Sequence, residues 1–319
     1  MASPVKLTAT VVGLLVLVVA PSLLLNLLGF DALAGDAMLA TATGLIAATF
    51  GPWRPAAVAA ALLGLGAGVA IVAAPLPWLA AVLMAACGIA MGVAARFGVA
   101  GVVVMAPITV AFVLAEPPPT AATTTGVAYA VAAVFGVFVG AAVRRRLPHK
   151  GLEGVHTTRA LAYAGMLALL AGVSGWFVAE RNLGHAGAWL LMTYFVVIQP
   201  YLQDGWRKAL ERAIGTVFGF VIAMALGLLI GVEWLLLVLG VVGLVLGIWV
   251  RIKNAPYWAY TAALTVGIVL AEGASTSVVS TGEQRLWATV IGTGASLAAM
   301  AILVPIYRGS AQRVGLDRY

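Results

Sequence analysis

Two twelve-residue segments of this chain are identical at seven positions. Met105 to Glu116 reads MAPITVAFVLAE and Thr261 to Glu272 reads TAALTVGIVLAE. The identities are Ala106/Ala262, Thr109/Thr265, Val110/Val266, Val113/Val269, Leu114/Leu270, Ala115/Ala271 and Glu116/Glu272. The same offset sets Thr125-Gly126 on Thr281-Gly282 and Gly136 on Gly292. Slightly different offsets set Trp53-Arg54 on Trp206-Arg207 and Gly92-x-x-x-Arg96 on Gly247-x-x-x-Arg251. A chain that repeats at half its own length is expected to fold as two related halves with a site between them.

The solvent of those halves follows from their apolar runs. Hydrophobic residues make up 63% of the chain and charged ones 9%, with a mean hydropathy of +1.09. Runs approaching the ~20 residues that cross a bilayer recur throughout. They predict spans near 7–29, 34–50, 55–74, 78–95, 99–115, 126–143, 159–179, 186–203, 209–231, 233–250, 257–272 and 285–307. Six fall in each half. An even number makes both halves enter the membrane in the same direction, so their symmetry axis runs along its normal. The expected fold is an all-α polytopic membrane protein of about 12 transmembrane helices. It is arranged as two parallel six-helix repeats, 1–146 and 159–319, joined by a polar linker over 147–158. Small-residue spacings such as Gly88-x-x-x-Gly92 and Gly215-x-x-x-Gly219 allow helices to approach closely.

Charge placement supports that count. With the N-terminus in the cytoplasm, only Arg181 and Arg285 of the 18 Lys and Arg residues fall outside. This positive-inside bias puts both termini in the cytoplasm of a plasma or inner membrane. The net charge of +7 is then topology and contact with lipid headgroups, and nucleic acid is not an expected partner. Cys87 is the single cysteine, so no intramolecular disulfide exists. His149, Glu153 and His156 share the linker but read as a solvated loop, so no metal or cofactor is expected.

The two halves differ in their charges. Aligned on Trp-Arg, Arg212 stands where the first half has Ala59, and Thr216 where it has Leu63. Glu283, Gln284 and Arg285 stand opposite Val127, Ala128 and Tyr129. Arg212 reads either as an interfacial snorkel or as a forked receiver for a carboxylate. Arg285 is expected in the first turn of the last helix, with Thr281 and Gln284 as N-cap and N3. A cation there needs a partner, either Glu283, Glu272 or a passing anion. Thr109 and Thr265 lie seven residues before Glu116 and Glu272, two turns deeper on one face, and are candidates to line a path. Glu116 and Glu272 are the candidate proton-coupling carboxylates.

Three patterns in the second half resemble the fusaric-acid-resistance-like (FUSC) family. They are Arg212-Ala-Ile-Gly215-Thr216-Val-Phe-Gly219, Tyr257-Trp258 ahead of Leu264-Thr265, and Arg285-Leu-x-x-Thr289-x-x-Gly292. The resemblance covers about 185–305 and reaches the first half only through the repeat. It implies relatives that include aromatic-acid exporters and plant aluminium-activated malate channels. The large cytoplasmic regions common in that family are not expected here. The expected function is export of small organic anions, aromatic ones foremost, by Arg212, Arg285, Thr216, Thr109 and Thr265. A passive organic-anion channel and a non-transporting membrane subunit are the alternatives. Expected partners are a small organic anion, membrane lipids, and a further copy or an accessory subunit. No zinc-protease pattern, aspartate pair or Ser–His set points to an enzyme.

Overall fold

A computed structural model describes residues 20–27, 31–144, 154–200, 202–230, 232–252, 255–273 and 277–314. Among them there is no strand. After a helical stretch over 20–27, the helices are α1 (Asp31–Phe50), α2 (Trp53–Ala73), α3 (Pro77–Arg96), α4 (Ala100–Val103), α5 (Met105–Ala115), α6 (Ala122–Arg144), α7 (Thr157–Arg181), α8 (Gly184–Val197), α9 (Leu202–Leu229), α10 (Glu233–Ile252), α11 (Tyr257–Gly273) and α12 (Val278–Val314). Eleven expected spans correspond to these helices, α4 and α5 together forming one. The remaining span, 7–29, lies mostly outside the described residues.

Six stretches are long and apolar enough to cross a membrane: Trp53–Ala73, Pro77–Arg96, Ala122–Arg144, Thr157–Arg181, Gly205–Leu229 and Val278–Ile302. Ala37–Phe50, Ala100–Ala115, Gly184–Val197, Glu233–Gly247 and Tyr257–Ala271 are apolar but shorter. At about 1.5 Å per residue, α8 is only ~21 Å long, against a hydrocarbon core of ~30 Å. Its end has a local cause, because Pro200 disfavours helical geometry at Gln199. The fifth span is interrupted at Val104, and Pro107 sits in the first turn of α5, where a missing N–H costs little. Pro77 opens α3 in the same way. Asn182 in the left-handed conformation closes α7.

The chain divides into two compact units, Met1–Phe195 and Val196–Tyr319. This division differs from the sequence repeat, because α7 stays with the preceding helices through its packing on α3. Within the first unit α1 and α2 pack on α6. A side chain at Gly44 would overlap the backbone of Ala133, so the α1–α6 contact is made by main chain. Within the second unit α9, α10 and α12 surround α11. Here again the contact is close, since a Cβ on Gly219 would stand 2.5 Å from the Ala262 carbonyl oxygen and 2.7 Å from Thr265 Cβ.

Candidate functional site

The inward faces of α9, α11 and α12 carry polar side chains among apolar ones. On α9, Ala209, Arg212, Thr216 and Ala223 are buried, whereas Leu210, Ile214, Val217 and Phe218 on the other side are exposed. Helical periodicity thus turns Arg212 inward, with 2% of its surface exposed. The interfacial ion pair belongs to its neighbour: Arg207 Nε donates to Glu211 Oε1 at 2.6 Å. On α11 the buried polar residues are Thr261 and Thr265, one turn apart. On α12 they are Arg285, Thr289, Thr293 and Ser296, a single stripe.

Arg285 is among the largest fully buried side chains, 1% exposed, and its Nε donates to Thr265 Oγ1 at 3.3 Å. The structure thus joins two of the sequence candidates directly. It also corrects the reading of this helix start. α12 begins at Val278, and Ser277 is its cap: Ser277 Oγ accepts from Ser280 N at 3.4 Å, and its carbonyl from Thr281 N at 3.0 Å. Thr281 and Gln284 are therefore not the N-cap and its N3 partner. Arg285 lies two turns inside, roughly 10 Å from the helix start. Glu283, expected as a stabiliser, is exposed on another side of the helix.

Two close approaches set the register of α9 against α12. Gly282 lies against the Phe220 ring, and Gly205 against Met300. The helices are therefore antiparallel. Arg212 falls level with the segment from Thr289 to Thr293, and Thr216 with the segment from Arg285 to Thr289. The two arginines are separated along the axis by on the order of 10 Å.

Thr109 and Glu116 belong to the first unit. Thr109 is fully buried in α5, where its hydroxyl meets Thr43 Oγ1 at 2.8 Å and donates to the Met105 carbonyl at 2.9 Å. Glu116 is the C-cap of α5, with non-helical φ −135° and ψ 80°. Its carboxylate is half-exposed and contacts His185 Nδ1 at the start of α8. Thr109 is thus fully buried, while Glu116, seven residues on, is half-exposed at the helix end. Glu272 lies in the last turn of α11, and its side chain is outside the described residues. In the linker, His156 caps α7 by accepting from Thr158 N at 3.4 Å, while His149 and Glu153 lie outside the described residues.

The buried polar residues Thr43, Thr261, Thr289, Thr293 and Ser296 were not among the sequence candidates. The spacing of Arg285, Thr289 and Thr293, every fourth residue in an otherwise apolar helix, was the available signal.

Long apolar helices and buried charge together define a multi-pass α-helical membrane protein. Residues 162–299 match the family described as fusaric acid resistance protein-like. The matched region includes Arg212, Thr216, Thr265 and Arg285, and does not reach Thr109 or Glu116. No curated protein and no solved structure matches the chain.

Proposed function

We propose that the chain exports small organic anions, aromatic carboxylates foremost, along the polar faces of α9, α11 and α12. The observation that carries this reading is the burial of Arg212 and Arg285 in one unit of a membrane protein. An arginine at mid-membrane depth costs about 2.5–3.5 kcal/mol even on the lenient insertion scale. Such a residue is expected to recur only where its charge is used. A guanidinium offers a fork of N–H donors that matches a carboxylate, and hydroxyls nearby replace the anion's hydration. The match of residues 162–299 to the fusaric acid resistance protein-like family favours transport over catalysis.

In this reading the N-terminus and C-terminus face the cytoplasm, following the positive-inside bias, and the two sequence halves are parallel repeats. The first half is a scaffold. The second reading is a passive channel for the same anions, in which Glu116, in contact with His185, takes no part in coupling.

The test is flux of labelled benzoate in proteoliposomes. Arg212→Ala and Arg285→Ala are each expected to cut flux at least tenfold while the protein still elutes as a folded species, since a charged hydrogen bond is worth about 1.5–3 kcal/mol. Arg→Lys recovers only part, because a point charge lacks the fork. Parental flux in both alanine variants would return these arginines to the role of topogenic anchors.

A further inference from the structure

We propose that Thr216 and Thr293 are the residues by which this seam selects carboxylates, each donating its hydroxyl hydrogen to an oxygen of the anion in transit between Arg212 and Arg285. The proposal rests on the transport reading above and specifies the ligand contacts of that same site.

The first observation is chemical. The Thr216 and Thr293 hydroxyls are buried and have no hydrogen-bond partner among the described residues. Buried hydroxyls are ordinarily satisfied, and in a helix the carbonyl four residues back is the convenient acceptor. Two neighbours in the same seam use it. Thr261 donates to the Tyr257 carbonyl at 2.6 Å, and Ser296 to the Gly292 carbonyl at 2.7 Å. Thr216 and Thr293 sit in helices of the same kind and do not. Each retains a donor for something that is not the protein backbone.

The second observation is placement. Gly282 against Phe220 and Gly205 against Met300 put Thr216 between the levels of Arg285 and Arg212, and Thr293 beside the level of Arg212. One hydroxyl comes from α9 and the other from α12, so they approach the path from two helices. A carboxylate presents two oxygens with about four acceptor sites. An arginine fork occupies two of them and leaves others for hydroxyls. An organic cation would meet two positive charges and no carboxylate among the buried described residues. The seam therefore fits an oxyanion whose head group is passed from one guanidinium to the other, with the Thr216 donor between them and the Thr293 donor beside Arg212.

The experiment measures concentration-dependent benzoate uptake into proteoliposomes for the parent, Thr216→Val, Thr293→Val and the two Thr→Ser variants, alongside thermal melting in detergent. Each valine variant is expected to raise KM for benzoate about tenfold, the loss of one donor to a charged acceptor. Melting should stay unchanged or rise, because valine removes a buried unsatisfied hydroxyl. Serine should restore the parental KM. Parental KM in both valine variants overturns the inference and leaves the arginine reading standing if Arg212→Ala and Arg285→Ala remain impaired. Where a valine variant melts early, Thr→Ala against Thr→Ser decides: alanine must lose affinity and serine keep it. No benzoate uptake by the parent overturns the transport reading and this inference with it.

Discussion

The polar seam exists only if α9 lies directly against α11, and Gly215→Ala tests that contact. A Cβ added at Gly215 would stand 2.8 Å from Thr261 Cβ and closer still to the Trp258 carbonyl oxygen, where ordinary contact is 3.4–4 Å. Neither obstacle is the end of a flexible chain: one is backbone and the other is the first carbon of a buried threonine. The helices must therefore separate by on the order of 1 Å at this point, a form of overpacking that costs about 1–3 kcal/mol. Gly294, on α12 of the same unit, is the control, because nothing lies within 4 Å of its added Cβ. Alanine gains about 0.5–1 kcal/mol over glycine in a helix interior, and this gain is common to both positions. The difference between the two variants is then the clash alone. At about 2–4 °C per kcal/mol, Gly215→Ala should melt on the order of 5 °C below Gly294→Ala. The assay is monodispersity after heating in detergent, followed by fluorescence on a sizing column. Benzoate flux should fall in Gly215→Ala, because Arg212 and Thr216 are carried away from Thr261 and Thr265. If Gly215→Ala melts with or above Gly294→Ala, α9 and α11 are not in main-chain contact and the seam as described is wrong.

Other consequences are checked more simply. After Cys87 is replaced, Ala121→Cys should react with an impermeant thiol reagent added outside and Lys150→Cys should not; the reverse pattern refutes the proposed topology. Glu272 follows Thr265 by two turns on α11, whereas Glu116 is engaged with His185 off the end of α5. Glu272→Gln is therefore expected to abolish stimulation of flux by an imposed pH gradient while substrate exchange continues, and Glu116→Gln is not; stimulation surviving in Glu272→Gln removes this carboxylate from proton coupling, and a parent that shows no stimulation supports the channel reading.

The helices were legible because the bilayer admits so few solutions. A backbone in hydrocarbon must satisfy its own N–H and C=O groups, so each long apolar run between polar breaks is read as a helix. Their ends were less legible. The last helix offers two polar starts one turn apart, Ser277 and Thr281, and a capping pattern alone favours the second because Gln284 follows it. The structure uses the first, and that one-turn difference moves Arg285 from the interface to the interior. Arg212 was ambiguous for a related reason: the same side chain one turn into a helix can snorkel outward or turn inward, and only the packing of α9 on α11 through Gly215 and Gly219 decides. The hydroxyl stripe, by contrast, was written in the repeat. On α6 the buried face includes Tyr129, Ala133, Gly136, Val137 and Gly140. The positions 156 residues later are Arg285, Thr289, Gly292, Thr293 and Ser296, and they are buried on α12 in the same register. Reading the repeat at Arg285 against Tyr129 showed one difference. Following it down the helix, with threonine for Ala133, threonine for Val137 and serine for Gly140, shows that three buried apolar positions of one helix carry hydroxyls at the corresponding positions of the other. A change confined to solvated or lipid-facing positions would follow from drift in surface composition. This one lies where bulk water does not satisfy a hydroxyl, so in the proposed transport reading the burden of recognition falls on α12 and on the helices packed against it.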